Sequence, residues 1–172
     1  HQGEWGRYRD VDGDGIPYRT LPGNLHPKSG YFTRGTSHDV DAGYTEDPKI
    51  WEEIFARIAK KFETAKEYLP KAVIDNQENA EIGIISSGSA DPAVVEARDL
   101  LLQKGIKTDY LRIRSLPFNK EVEEFLNNHK QLFVVELNRD GQMHQLLTID
   151  YPEVSKKMKR CAHMDGLPLT AL

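Results

Sequence analysis

From residue 82 onward, short apolar runs alternate with longer amphipathic segments. Residues 82–86 form an almost continuous apolar run, which is typical of a strand buried on both faces. Similar runs span residues 108–115 and 132–135, and a weaker one near residues 159–163 predicts an edge strand. Strands that alternate with helices indicate a mainly parallel sheet covered on both faces. We therefore predict an α/β fold, a three-layer α-β-α sandwich that leaves room for an antiparallel edge strand.

Helix signals separate these strands. A helix is predicted from Asp91 to about Lys104, with Gly105 at the position of a C-cap glycine. Asn119 is expected to cap a second helix. A third helix is expected after Asn138.

Residues 48–70 give the clearest helix signal in the chain. Asp47 is the expected N-cap and Pro48 suits the first helical position. Pro70 ends the pattern. Apolar residues recur at intervals of three and four along one side, namely Trp51, Phe55, Ile58, Phe62, Ala65 and Leu69.

The first 48 residues lack the side chains that build a core. They hold 8 of the 13 glycines but only five residues drawn from Val, Ile, Leu and Met. Their aromatic residues, among them Trp5, Tyr8 and Tyr31, argue against a disordered linker. We predict an ordered, irregular arm whose rings pack on a surface. The predicted organisation is an arm at 1–47, a connecting helix at 48–70 and an α/β domain at 71–172.

Charge and composition exclude several classes of protein. The chain has 23 Lys and Arg against 27 Asp and Glu, without the basic clusters that nucleic-acid binding needs. It has no apolar run long enough to span a membrane and no secretory leader, so we predict a cytoplasmic location without nucleic-acid or membrane partners. The start at His1 suggests a fragment. The single Cys161 excludes an internal disulfide and an all-cysteine iron–sulfur cluster held by this chain alone.

An Asp-rich segment near the start resembles half of a calcium loop. Asp10, Asp12 and Asp14 alternate and Gly15 follows, so their oxygens could converge on Ca²⁺ or Mg²⁺. The twelfth position is Leu21 rather than the usual Glu, which leaves the loop incomplete. The alternative is a turn whose carboxylates accept hydrogen bonds from the backbone.

The expected carboxyl ends of the strands carry polar side chains that suit an anion or an interface. In open parallel sheets, ligands gather at these ends, close to helix N-termini. The candidate residues are Ser87, Ser89, Arg112, Arg114, Glu136, Asn138 and Arg139. The alternative is structural: Ser89 or Asp91 caps a helix, and Glu136 pairs with an arginine or a neighbouring subunit.

No complete catalytic centre can be assembled from the sequence. His38 and Asp39 are adjacent, and Cys161 lies near His163, but neither pair has a third partner at the spacing of a zinc site. A nucleophile elbow is also missing. We therefore predict no catalytic residues in this chain.

Five ordered blocks resemble the alpha subunits of 2-oxoacid:ferredoxin oxidoreductases, especially the 2-oxoglutarate branch. They are RYRDVDGDGIPYRTLPG at 7–23, YFTRGTSHD at 31–39, DYLRIRSLPF at 109–118, VVELNRDGQ at 134–142 and HMDGLPLTA at 163–171. The block at 134–142 looks like the family's Glu-x-Asn-x-x-Gly-Gln segment. The resemblance covers nearly the whole chain.

The resemblance implies the C-terminal region of such a subunit, with a transketolase C-terminal-like domain after an interdomain arm. The parent enzymes convert a 2-oxoacid into an acyl-CoA and pass electrons to ferredoxin. They use thiamine diphosphate, Mg²⁺ and iron–sulfur clusters, which the resemblance places on other domains or on a beta subunit. The implied partners are the upstream domains, the thiamine-binding beta subunit, ferredoxin and CoA. The alternative is a stand-alone, flavodoxin-like binding or interaction module.

Overall fold

A computed structural model describes residues 4–35 and 37–171. The chain divides into two compact units, with the division between Tyr68 and Leu69. The helices of the described residues are α1 (Pro48–Tyr68), α2 (Asp91–Gln103), α3 (Lys120–Asn128) and α4 (Gln142–Asp150). The strands are β1 (Val73–Asp75), β2 (Ile82–Ser87), β3 (Thr108–Ile113), β4 (Gln131–Glu136) and β5 (Met158–Ala162).

The second unit is built on a five-stranded sheet in the order β1-β3-β2-β4-β5. Strands β3, β2, β4 and β5 are parallel, and β1 pairs antiparallel with β3 at one edge. The predicted mainly parallel α/β sheet is therefore confirmed, including the edge strand near residues 159–163. The antiparallel edge strand is β1, which is three residues long and exposed, so it has no periodicity from which to predict it.

Both faces of the sheet are covered, which confirms the three layers. On one face, Ile85, Leu111 and Leu132 pack in one cluster with Phe125 of α3 and Leu147 of α4. This packing requires a glycine in β2, because a Cβ on Gly83 would lie 2.7 Å from the Phe125 ring and 2.8 Å from Leu132.

On the opposite face, Val94 of α2 packs with Ile84 and Tyr110. Arg98 of α2 is also buried there, and its guanidinium pairs with Asp75 of β1 and donates to the Thr108 carbonyl oxygen at 2.9 Å. This side chain joins α2 to β1 and β3, so it fixes the edge of the sheet that carries the antiparallel strand.

The predicted caps are only partly correct. Asp47 Oδ1 accepts a hydrogen bond from the Lys49 amide at 2.8 Å, so the expected N-cap of α1 is confirmed. Asn119 precedes α3 as predicted, but its side chain makes no capping bond. The Val122 amide instead donates to the main-chain oxygen of Asn119 at 3.1 Å.

In the first unit, the arm packs against α1. The Arg57 guanidinium donates to the Gly15 carbonyl oxygen at 2.9 Å, and the Thr64 hydroxyl donates to the Asp14 carbonyl oxygen at 2.5 Å. Gly15 lies so close to the helix that a Cβ there would be 2.8 Å from the Arg57 carbonyl oxygen. The rings of Tyr8 and His38 stack at 3.8 Å. The arm is therefore ordered mainly by contacts within its own unit.

The apolar side of α1 is not the side that the arm covers. Ile54, which lies outside the predicted stripe, is the buried residue of this helix. Trp51, Phe55 and Phe62 of the stripe are 44%, 48% and 55% exposed. Among the residues described, no helix has the length and apolar character needed to cross a membrane.

Candidate functional site

The carboxyl ends of β2, β3 and β4 meet at one edge of the sheet, as the sequence predicts. In the parallel register, Ser86 pairs with Arg112 of β3 and with Val135 of β4. The candidate residues that follow these strands therefore lie along the same edge, which we call the strand-end edge. Its side chains form two separate hydrogen-bonded groups, one at the start of α2 and one at the start of α4.

The group at the start of α2 is centred on Tyr110. Its phenol oxygen lies 2.6 Å from the Ser86 hydroxyl and donates to Asp91 Oδ1 at 2.8 Å. Burial, followed by the hydrogen bond to Asp91, raises the pKa of Tyr110 to about 12 despite the opposing effect of Ser86. The phenol is therefore a neutral hydrogen-bond donor at physiological pH, which suits a structural role better than proton transfer.

Arg112 extends this group towards solvent. Its guanidinium lies 3.2 Å from Asp91 Oδ2 and 3.4 Å from the Gly88 carbonyl oxygen. Asp91 stands in the first turn of α2, so the chain itself already supplies a carboxylate at this helix N-terminus. The sequence singled out Arg112 and also offers Ser86 at the end of β2, but Tyr110 was missed because it lies inside a run that is typical of a core strand.

The side chains of Ser87 and Ser89 take no part in the hydrogen bonds of this group. Ser87 is half-buried and extended, and its side chain makes no capping bond, whereas Ser89 is exposed. No side-chain cap is found at the start of α2 either. The expectation that Ser89 or Asp91 caps that helix is therefore wrong, because Asp91 binds Tyr110 and Arg112 instead.

The second group consists of Glu136 and Asn138. Buried Glu136 accepts hydrogen bonds from the Met143 amide at 2.6 Å and from the His144 amide at 3.0 Å. Asn138 Oδ1 accepts from the Gly141 amide at 2.6 Å, and its Nδ2 donates to Glu136 at 2.9 Å. These side chains satisfy the free N–H groups at the start of α4, where negative charge is favoured.

Arg114 and Arg139 lie apart from these groups on the surface. Arg114 is exposed, and Arg139 pairs with the neighbouring Asp140 at 2.7 Å. An external anion at either helix N-terminus would meet Asp91 or Glu136, which carry the same sign of charge. The geometry of the strand-end edge therefore favours an interface or a structural use over a buried anion site.

The Asp-rich turn of the arm uses its carboxylates on its own backbone. The two oxygens of Asp10 accept from the Asp14 amide at 3.1 Å and the Gly15 amide at 3.0 Å. Asp14 Oδ1 accepts from the Ile16 amide at 2.8 Å. The side chain of Asp12 bonds Tyr18 and raises the pKa of that phenol.

Within residues 4–35 and 37–171, no three His, Cys, Asp or Glu side chains are grouped as metal ligands. The geometry of Asp10, Asp12 and Asp14 therefore supports the turn and lends no support to the predicted Ca²⁺ or Mg²⁺ site. The pairs His38–Asp39 and Cys161–His163 likewise belong to no such group.

A cavity of about 310 Å³ lies beside the ends of β4 and β5. It is lined by residues of α2, β2, β4 and β5, by His163 and by residues 169–171, among them Val94, Val135 and Leu169. Most of the lining is apolar, so the cavity offers few groups that would fix a polar ligand.

Comparisons with known proteins show which proteins this chain resembles. No protein-family model matches it. It is 31% identical over 149 residues to the alpha subunit of 2-oxoacid:ferredoxin oxidoreductase 2 from Aeropyrum pernix, a match that covers 84% of this chain and 22% of the relative. It is 28% identical over 121 residues to the alpha subunit of 2-oxoacid:ferredoxin oxidoreductase from Saccharolobus solfataricus, with 67% of this chain and 19% of the relative covered.

This chain is homologous to 2-oxoacid:ferredoxin oxidoreductase alpha subunits. A solved structure of 2-oxoglutarate:ferredoxin oxidoreductase from Magnetococcus marinus, with 2-oxoglutarate, coenzyme A and succinyl-CoA bound, matches 99% of the chain with a TM-score of 0.79 and 25% identity. The match covers 29% of that chain. The present chain thus spans less than a third of the length of these relatives, and the resemblance noted in its five sequence blocks is confirmed.

Proposed function

We propose that the chain is the non-catalytic C-terminal domain of the alpha subunit of a thiamine-diphosphate-dependent 2-oxoacid:ferredoxin oxidoreductase. The observation that carries this proposal is the structural match over 99% of the chain to one part of the Magnetococcus marinus enzyme. The identity of 31% to a second alpha subunit supports it independently. This homology favours the oxidoreductase over a stand-alone, flavodoxin-like module.

The parent reaction would be the oxidative decarboxylation of a 2-oxoacid to an acyl-CoA, with electrons passed to ferredoxin. We favour 2-oxoglutarate as the 2-oxoacid and succinyl-CoA as the product, because the matched solved enzyme is a 2-oxoglutarate:ferredoxin oxidoreductase. In the cell, the partners of this chain would be the rest of the alpha subunit and a thiamine-binding beta subunit. The cytoplasmic location remains a prediction.

The residues of this chain do not fit the cofactors of that reaction. Iron–sulfur clusters are held by several cysteine thiolates, and the chain contains Cys161 alone. Its described residues also lack a grouped set of acidic or histidine ligands for the Mg²⁺ that accompanies thiamine diphosphate. We therefore assign these groups to other parts of the complex and give this chain a role in subunit assembly.

We further propose that the strand-end edge contacts CoA or another domain. Arg114 is the residue to test, because Arg112 already pairs with Asp91 and Arg139 with Asp140. In the full enzyme, Arg114→Ala should raise the KM for CoA if the guanidinium binds a phosphate of CoA. An unchanged KM together with unchanged subunit assembly would exclude Arg114 from contact with CoA or with another domain.

The overall proposal is tested by co-expressing the full alpha subunit with its beta subunit. The purified complex is assayed with 2-oxoglutarate, pyruvate and branched-chain 2-oxoacids for CoA-dependent reduction of ferredoxin. We expect the highest kcat/KM with 2-oxoglutarate. If ferredoxin is reduced only with another 2-oxoacid, that acid is the substrate instead of 2-oxoglutarate. If ferredoxin is reduced with none of them, the proposed oxidoreductase function is contradicted.

A further inference from the structure

Helix α1 presents three different sides, and two of them have an evident role. One side lies against the arm, through Ile54, Arg57 and Thr64. A second side carries the exposed charged residues Glu53, Lys60, Glu63 and Glu67, as expected where a helix faces water. The third side carries Trp51, Phe55 and Phe62, and we call these three residues the aromatic face of α1.

The aromatic face is built like a docking surface. The rings of Trp51 and Phe55 stack with their centroids 4.1 Å apart, and all three side chains are about half exposed. Single exposed apolar residues are common, but three exposed aromatic rings on the same side of one helix are typical of an interaction site. The three residues follow one another after four and seven residues, that is, after about one and two helical turns, which is the spacing with which a helix enters an apolar groove.

The length of the relatives bears on what could cover this face. The chain corresponds to 22% of one relative and to 29% of the solved chain that it matches along nearly its whole length. In those proteins, most of the polypeptide therefore lies outside the matched segment yet is covalently joined to it. Covalent linkage gives such a segment a high effective concentration, which favours it over any separate partner. The aromatic face carries no charge, so its counterpart should be apolar.

We propose that the aromatic face of α1 is covered by an apolar surface of the same alpha-subunit polypeptide, from outside these 172 residues. The inference rests on the proposed function in one respect, namely that this chain belongs to a longer alpha subunit. Buried in that interface, Trp51 would supply the largest apolar area, since tryptophan dominates the energetics of many interfaces.

Thiol labelling of the full alpha subunit tests the proposal. In a Cys161→Ser background, Phe62→Cys places a thiol on the aromatic face, and Lys60→Cys places a matched thiol on the charged side of the same helix. Labelling by a maleimide is followed at each site by peptide mass spectrometry. We expect Phe62→Cys to react at least about tenfold more slowly than Lys60→Cys, because a covered thiol is inaccessible to the reagent. Equal rates would overturn the proposal.

Further measurements identify what covers the aromatic face of α1. Protection that appears only when the beta subunit is added, or that grows with protein concentration, would assign the face to another chain or to a second copy and would also overturn the proposal. If Phe62→Cys fails to fold, hydroxyl-radical footprinting of the unmodified subunit replaces it. Trp51 and Phe62 should then be oxidised much less in the native subunit than after denaturation, and similar oxidation in both states would contradict the proposal.

The assay of ferredoxin reduction separates this inference from the proposed function. A subunit that protects the aromatic face but reduces no ferredoxin with any 2-oxoacid contradicts the function alone. A complex that is active while both thiols react equally fast contradicts the docking alone.

Discussion

Tyr110 combines a core position with a polar role. Its ring packs between β2 and α2, while its hydroxyl contacts Ser86 and donates to Asp91. A buried hydroxyl that lacked these partners would cost roughly 1–3 kcal/mol. The sequence places Tyr110 on a strand but cannot show that Asp91, nineteen residues earlier, accepts its hydrogen bond.

The raised pKa of Tyr110 predicts a pH dependence of stability at alkaline pH. Because the pKa of Tyr110 is about 12 in the folded chain against the ordinary 10.0 of a tyrosine, folding favours the neutral phenol. The stabilisation that this provides is complete below pH 10 and is lost as the pH rises from 10 to about 12. We expect the free energy of unfolding of the wild type, relative to Tyr110→Phe, to fall across this range. Urea unfolding of both proteins at several pH values measures it, and a constant difference would contradict the assignment.

The capping role of Glu136 leads to a prediction about the free energy of unfolding. Glu136→Ala leaves the amides of Met143 and His144 without their acceptor, so the free energy of unfolding should fall by about 2–3 kcal/mol. Glu136→Gln keeps one acceptor oxygen and should cost about 1 kcal/mol. Arg139→Ala is the control, because that pair is exposed and should contribute less than about 0.5 kcal/mol. Equal losses in Glu136→Ala and Arg139→Ala would exclude the capping role.

At the scale of secondary structure, the packing of the arm on α1 depends on the close approach of Gly15 to the backbone of the helix. Gly13 and Gly15 both have positive φ, 72° and 83°, and both belong to the Asp-rich turn. A Cβ on Gly13 would meet nothing within 4 Å, whereas a Cβ on Gly15 would lie against the backbone of α1. Both glycines therefore need a positive φ, but only Gly15 lies against the helix.

This difference predicts different outcomes for two alanine variants. Gly13→Ala should lower stability by about 1 kcal/mol through its left-handed backbone alone and should keep the arm on α1. Gly15→Ala adds a clash with the Arg57 carbonyl oxygen and should release the turn from the helix. Hydrogen exchange of residues 8–18 should therefore accelerate in Gly15→Ala and stay near the wild-type rate in Gly13→Ala. Equal exchange in the two variants would show that this contact does not hold the arm.

The elements that follow from local chemistry were predictable, and those that depend on distant contacts were not. Apolar periodicity placed β2, β3, β4 and α1, and Asp47 marked the start of that helix. The direction in which α1 turns its apolar stripe depends on where the arm packs, which no local pattern encodes. Of the predicted polar residues, Arg112 joins one hydrogen-bonded group, and Glu136 and Asn138 form another. Glu136 reaches amides seven and eight residues further on, so its capping role is visible only in the fold.

At the scale of the whole molecule, the two units differ in how their backbones are held. The α/β unit places its central strands in continuous ladders on both sides. The arm relies on isolated bonds, such as the Tyr8 amide to the Val40 carbonyl oxygen at 2.9 Å and the bridge between His38 and Tyr44. Backbone amides without a ladder open to solvent by local fluctuations that leave the rest of the fold intact.

Hydrogen exchange of the 172-residue chain should therefore be sharply uneven. Amides of β2, β3 and β4 should exchange only through cooperative unfolding of the sheet, while most amides of residues 4–35 and 37–46 should exchange through local opening, at least about 100-fold faster. Mass spectrometry of peptides from both regions measures the ratio. In the full alpha subunit the peptides of α1 should gain protection and those of the sheet should not. Arm amides as slow as those of the sheet would contradict local opening and would mean that the arm unfolds only cooperatively.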